Sequence, residues 1–420
     1  MEAGYRDASQ RSPDRLSVRT VPIPDPGDLA ALLPGPNPLA WLRQGEGIVG
    51  WGEAARITLP AGEDRFTAAE KWLRALFEST DTDDQVGEPG CGPLAFASIT
   101  FDPASDGSVL VVPQTVAGRR GGTAWLTTIG PAAAAESGRQ RLTPPAEVRW
   151  HDGGLSAPDW ERAVAAAVHR IRAGKLAKVV LARDLCALAS GPIDVRVLLQ
   201  RLTARYPDCY TFACAGLAGA TPELLIRRQG ADISSLVLAG TAPRGHDKAA
   251  DSQLGLELLA SVKDTEEHKY AVAGVRAALA ALCDPLLVDS DPSLLRLANV
   301  QHLATGVTGR LARPDRPDQS VLALAATLHP TGAVCGTPTE TAAEVIRELE
   351  GMDRGRYSGP VGWVDARGNG EMGIALRCAE IDGPRARLFA GCGIVAGSDP
   401  AAELAEAQAK FRPMRFAIEG

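Results

Sequence analysis

The chain has 420 residues, a net charge of −7 and a pI near 5.5, which leaves room for two or three domains or one large α/β or α+β unit. The acidic balance argues against nucleic acid as a main partner, because phosphate binding needs clustered Lys and Arg. No apolar run approaches the ~18 residues that span a bilayer, and no apolar signal segment opens the chain, so a cytoplasmic protein with no membrane partner is expected.

In chain order, residues 1–35 read as a polar, proline-rich lead. From there to about residue 145 the pattern is mostly strand, in GIVGWGEAARITL, LAFASITF, SVLVVPQTVA and GTAWLTTIG. Ala68, Trp72, Leu73 and Leu76 in TAAEKWLRALFES are spaced for one helix face. The polar stretch PAAAAESGRQRLTPPAE is the expected boundary, dividing 1–150, the N-terminal part of the fold, from a catalytic region at 151–420. That region opens on the helix WERAVAAAVHRIRAG, capped by Ser156 or Asp159 and ending on Gly174. KVVLARDLCALA then reads as a strand, VRVLLQRLTARYP as a helix, and YTFACAGLAGATPELLIRRQGADISSLVLAGTA as three strands. QLGLELLASVKDTEEHKYAVAGVRAALAALC reads as one long helix, and VLALAATLHPTGAVCGTPTETAAEVIRELEG as two helical segments. A β meander follows, with a tight turn at Gly368, Asn369 and Gly370, and AAELAEAQAKFRPM closes as a helix. Helices and antiparallel strands mix without strict βαβ alternation, which predicts an α+β fold. The eight cysteines form no CxxC pair and read as small buried residues in a reducing compartment.

Two carboxylate pairs stand out: Asp264 and Glu267, and Glu403 and Glu406. Residues three apart share a helix face, where like charges repel unless something binds them. Converging, the two pairs suit a hard divalent cation such as Mg²⁺, which takes carboxylate oxygens and an anionic substrate. Solvated helix faces are the alternative, with Glu406 paired to Lys410 at i+4. Lys178 opens an apolar strand, where desolvation suits a base and a snorkelling strand-edge lysine is the other reading. Glu223 precedes an apolar strand and is placed for a general acid, or for a turn residue paired with Arg227 or Arg228. Arg377 inside an apolar strand needs an anionic partner, a substrate carboxylate or a structural one. Gly391 and Gly393 allow a ligand anion close to the backbone, as do Gly240 and Thr241. GCGIVA at 391–396 fits a dinucleotide fingerprint, but no room remains for the βαβ unit it requires.

Taken in order, KVVLAR, ATPELL, LAGTAPRG, KDTEEH, HLATGVTG, LHPTGAVCG, RGRYSGPVGW, LRCAEI, LFAGCGIV and AELAEAQAK resemble the chorismate-utilising enzymes. That family includes isochorismate synthase, anthranilate synthase component I, aminodeoxychorismate synthase component I and salicylate synthase. The resemblance runs from about Trp160 to Met414, with GEGIVGWGEA a weaker match. It is strongest to the isochorismate synthase branch, through LHPT with His329, VGWVDARGNGE with Trp363 and Glu371, IALRCAEI, the small Ala333 and Val334, and Ala239. Aminodeoxychorismate synthases typically carry a nucleophilic lysine at the position of Ala239. Gly332, Gln301 and Cys392 depart from the family pattern, and salicylate synthase or an anthranilate synthase component I-like enzyme stays open.

The resemblance implies two stacked antiparallel sheets with helices outside. It implies Mg²⁺ on Glu267 and Glu406, with Asp264 and Glu403 ordering its waters, and chorismate as substrate. Lys178 is then the base for water and Glu223 the acid for the C4 hydroxyl. Arg377, Tyr357 and the amides near Gly391 and Gly393 are expected to hold the enolpyruvyl carboxylate, with Gly240, Thr241, His329 and Ala333 also at the substrate. A monomer with no obligatory glutaminase subunit is expected, serving siderophore or menaquinone biosynthesis.

Overall fold

The computed structural model describes residues 16–130, 140–298 and 300–420. Residues 1–15 of the expected lead and 131–139 of the expected boundary lie outside the described residues. Among those described, the strands form one sheet of 13 and one of 10. Every pairing is antiparallel except that of Ser17–Pro22 with Asp81–Asp84.

The two sheets stack face to face. Trp41, Trp125 and Phe212 of the larger sheet meet Phe96, Val111 and Trp363 of the smaller in one buried layer. The outer face of the larger sheet is covered by Leu198 and Leu202 of the helix Val195–Arg205 and by Phe411 and Met414 of the closing helix Pro400–Glu419. On the smaller sheet the cover comes from Ala271 and Val275 of Val262–Ala280 and from Leu322 and Ala325 of Val321–Leu328. Central strands are therefore buried on both faces, as in Leu94–Ser98 and Ser108–Val112, and their sequences run apolar instead of alternating. Each fully buried Leu, Val or Phe contributes about 1.5–3 kcal/mol. The architecture is the expected α+β, two stacked sheets with helices outside.

Both sheets draw on both ends of the chain. Leu39–Arg43 pairs with Tyr210–Cys214 in the larger, and Leu94–Ser98 with Pro360–Asp365 in the smaller.

Three local readings change. The stretch from Tyr210 holds four strands, not three: Tyr210–Cys214, Leu217–Thr221, Leu224–Gln229 and Asp232–Pro243. The extra break is at Pro222 and Glu223, where the chain leaves the larger sheet for the smaller. The expected long helix is two, Lys248–Ala260 and Val262–Ala280, because Ser261 is extended (φ −68°, ψ 114°) and its hydroxyl accepts the Asp264 amide as an N-cap. The expected meander divides, with Pro360–Asp365 and Gly370–Ile374 in the smaller sheet and Cys378–Asp382 and Arg385–Ile394 in the larger.

Candidate active site

A cavity opens where the chain crosses between the sheets. Glu223 sits on that crossing and lines the cavity, only 6% exposed. Burial pushes its carboxyl up to about 8, against the pull of the Lys178 and Arg377 charges. At neutral pH it is a protonated acid facing the cavity.

The carboxylate pairs converge on the same cavity from two helices. The Ser261 cap starts Val262–Ala280 so that Asp264 and Glu267 share its inner face, and both line the cavity. Asp399 caps the closing helix by accepting the Ala402 amide at 2.9 Å, and Glu403 and Glu406 line the opposite wall. Lys178 Nζ lies 2.7 Å from Glu267 Oε1, and Lys410 Nζ lies 2.7 Å from Glu406 Oε1. The Glu406–Lys410 pair expected of a solvated helix face is thus present, but Lys410 lines the cavity and also donates to the Gly391 carbonyl at 2.8 Å.

Strand register explains the glycines. Gly393 and Gly391 lie opposite Val180 and Ala182 on the strand Lys178–Leu188. A Cβ on Gly393 would come within 2.8 Å of Glu267 Oε1 and 2.9 Å of Lys178 Cε, so a side chain there would collide with the Lys178–Glu267 pair. Gly240, at φ +76°, is the extra residue of a bulge between Ala239 and Thr241. The bulge sets Thr241 opposite His302, with Thr241 Oγ1 3.0 Å from His302 Nδ1. On the far wall Tyr357 stacks on Phe389 at 5.0 Å, and Arg377, expected inside a strand, instead sits on the bend between Gly370–Ile374 and Cys378–Asp382, in the left-handed region at φ +49°. Such a backbone costs of order 1–3 kcal/mol for a non-glycine residue and is kept where surroundings over-determine it.

The structure therefore brings Glu223, Gly240, Thr241, Asp264, Glu267, Ala333, Tyr357, Arg377, Gly391, Gly393, Glu403 and Glu406 to one cavity, with Lys178 on Glu267. His329 is the exception. It does not line the cavity; its ring packs with Phe66 and Phe101, and Nε2 bonds the Phe101 carbonyl at 2.9 Å. Burial lowers this imidazole to about 4. It caps the helix Val321–Leu328 and belongs to the packing behind the site.

The profile of the chorismate binding enzymes matches residues 40–419. The chain belongs to this family. The chorismate-binding fold is also what the solved structures share with it. An isochorismate synthase, DhbC, of Bacillus subtilis (strain 168) is 40% identical over 309 residues, 66% of this chain and 77% of that protein. Three further isochorismate synthases match over 54–62% of their own length. The structure of a 2,3-dihydroxybenzoate-specific isochorismate synthase from Bacillus anthracis aligns at TM-score 0.77 and 32% identity, covering 93% of this chain and 98% of that one. The menaquinone-specific isochorismate synthase MenF of Escherichia coli aligns at TM-score 0.79 and 26% identity, covering 98% and 96%.

Two cavity residues of this chorismate-binding enzyme escape a reading from side-chain type. His302 is buried, and burial with the Arg377 and Lys410 charges lowers it to about 3. The Gly240 carbonyl, 3.3 Å away, can only accept, so Nδ1 carries the proton and Nε2 is left as a buried acceptor without a protein partner. The HLATG motif held that signal. Lys410 is the second, legible only as the i+4 partner of Glu406.

Carboxylate oxygens are the donor type a hard dication takes, and among the described residues the ligand atoms that come within 4.8 Å of one another in a group of three are those of Cys392, Glu403 and Glu406, with Asp264 and Glu267 on the same cavity. Four carboxylates (Asp264, Glu267, Glu403 and Glu406) face three cations, Lys178, Arg377 and Lys410. A dianionic ligand would meet net repulsion there unless a divalent cation joined it.

Proposed function

We propose that this chorismate-binding enzyme is an isochorismate synthase, adding water at C2 of chorismate and releasing the C4 hydroxyl, reversibly and with Mg²⁺. The observation that carries the reading is the pairing of an acid and a base on one cavity whose nucleophile position is empty of amine. Glu223 is protonated at neutral pH, Lys178 touches the same cavity through Glu267, and Ala239 in the wall presents only a methyl group. With no amine side chain at that position, water is the nucleophile in this reading.

In this mechanism Lys178, paired with Glu267 on the cavity wall, accepts the proton of the attacking water once its ammonium has given one up. Glu223 gives its proton to the departing C4 oxygen from the protonated form that burial favours. Arg377 and Tyr357 hold the enolpyruvyl carboxylate, with the backbone at Gly391 and Gly393 admitting it closely. Gly240, Thr241 and Ala333 shape the ring pocket, and His302 Nε2 accepts a substrate hydroxyl proton. Glu267 and Glu406 would hold Mg²⁺, with Asp264 and Glu403 beside them. The cation supplies positive charge to the ring carboxylate. The reading places the enzyme in the cytoplasm as a monomer without a glutaminase subunit. Its product feeds siderophore or menaquinone synthesis; one related structure is named as 2,3-dihydroxybenzoate-specific and another as menaquinone-specific.

Product analysis of purified enzyme with chorismate and Mg²⁺, without ammonia, tests this. The expected result is isochorismate in equilibrium with chorismate and no pyruvate. Salicylate with stoichiometric pyruvate would make it a lyase, and turnover only with ammonia would overturn the water reading.

A further inference from the structure

The strand that carries Lys178 has a gap in its partners. One edge pairs with Arg385–Ile394 along its length. The other meets Gly336–Thr337 at Lys178 and Val179 and Arg149–Asp152 only from Leu185 onward. Between them, at Val180 and Ala182, no strand covers the edge. An unpaired buried amide or carbonyl costs about 1–3 kcal/mol, yet all four groups there are bonded. The Val180 amide donates to the Cys335 carbonyl at 2.7 Å, and the Ala182 carbonyl accepts the Trp160 indole at 3.0 Å. The other two are taken by an ion pair: Arg354 Nη2 donates to the Val180 carbonyl at 2.8 Å, and Glu350 Oε1 accepts the Ala182 amide at 2.8 Å.

Arg354 reaches further. Its Nη1 donates to the Val334 carbonyl at 2.9 Å and its Nε to Glu350 at 2.9 Å, and its guanidinium lies 4.3 Å from the Phe101 ring centroid. Both side chains are 1–2% exposed. Apolar replacement of a buried ion pair is often neutral for the charges themselves, but here it would also leave the Val180 and Val334 carbonyls and the Ala182 amide without these partners. What the pair fixes here is geometry: Val180 and Val334 both line the cavity, and Lys178 is two residues from Val180.

We propose that Glu350 and Arg354 are positioning residues for the reaction, standing in for a missing strand to set Lys178 and the Ala333–Val334 wall against the substrate. This rests on the cavity being the chorismate site. The experiment compares wild type with Arg354→Lys and with the double variant Glu350→Leu/Arg354→Met. Lysine keeps the charge opposite Glu350 but lacks the planar fork that reaches both carbonyls. Arg354→Lys should fold and the double variant should melt lower, and each folded variant should have kcat lowered about 100-fold, the cost of a misplacement near 1 Å, with KM for chorismate changed less than about threefold. Crystal structures of the variants should show the Lys178–Glu267 contact displaced. A folded variant of either kind with wild-type kcat and an unmoved Lys178 would overturn the proposal. If the double variant does not fold, Arg354→Lys decides. A wild type inert toward chorismate would remove the function reading instead, and the position of Lys178 in the variant structures still decides the positioning role.

Discussion

Lys178 Nζ and Glu267 Oε1 stand 2.7 Å apart, joining a strand of the larger sheet to a helix laid on the smaller. One contact therefore ties the proposed base to the proposed metal carboxylates. Lys178→Ala should lower kcat by about 10²–10⁴-fold, the usual worth of a general base, with little change in melting temperature. Steady-state kinetics beside a thermal melt checks both, and unchanged turnover would remove Lys178 from the mechanism.

Glu267→Gln should raise the Mg²⁺ concentration for half-maximal activity at least about tenfold. Isothermal titration with Mg²⁺ alone gives a second readout. An unaltered Mg²⁺ requirement would sink the assignment of this carboxylate.

Glu223 predicts a pH limb. Its folded pKa, about 8, is raised by burial above the ordinary carboxyl value of 4.5. The acid form is therefore present below pH 8, and forward turnover should fall as pH rises through about 8. Glu223→Gln should abolish that limb and cost about 10²–10⁴-fold. Stability follows the same proton: the folded state binds more of it between the two values, so this group destabilises the fold progressively as pH rises from 4.5 to about 8. A pH–rate profile and melts across that window test the two halves separately.

Gly393→Ala should leave the fold intact and impair the site. The new methyl group would meet Glu267 Oε1 at 2.8 Å and the Lys178 side chain at 2.9 Å, both able to move away. Gly362→Ala is the contrasting control, because its Cβ would fall 1.9 Å from the Glu371 carbonyl, which is backbone in the sheet. The first variant should melt like wild type with reduced kcat, and the second should express poorly.

Glu371 should matter for stability alone. It accepts from the Trp41 indole at 2.9 Å and pairs with Arg120 at 2.9 Å and Arg227 at 3.2 Å, away from the cavity. Glu371→Ala strands two guanidiniums and an indole, a loss of about 3 kcal/mol given that both arginines are partly solvated. Urea denaturation measures it, and kcat of the folded fraction should hold.

Much of this was legible because motif order survives without geometry. The carboxylate pairs, Lys178, Glu223, Arg377 and the paired glycines each sit in short stretches whose spacing fixes their face. The misses have physical causes. Apolar runs such as LAGATPELLI show that strands are buried but not which sheet they join, so the crossing at Pro222 was invisible. Ser261 is an ordinary residue in a helical pattern, and only its hydroxyl on the Asp264 amide makes it a cap. His329 sits beside family motif residues yet turns into the packing with Phe66 and Phe101, because sequence neighbours on a turn need not share a direction.

The closing helix has a consequence for synthesis. Glu403 and Glu406 belong to Pro400–Glu419, whereas the proposed base, the proposed acid and the other carboxylate pair come from residues far earlier in the chain. On the ribosome the early groups emerge long before the last helix does. A nascent chain stalled before residue 400 would carry Lys178 and Glu223 but only half of the carboxylates. Under the proposed mechanism, turnover waits until translation has passed that helix.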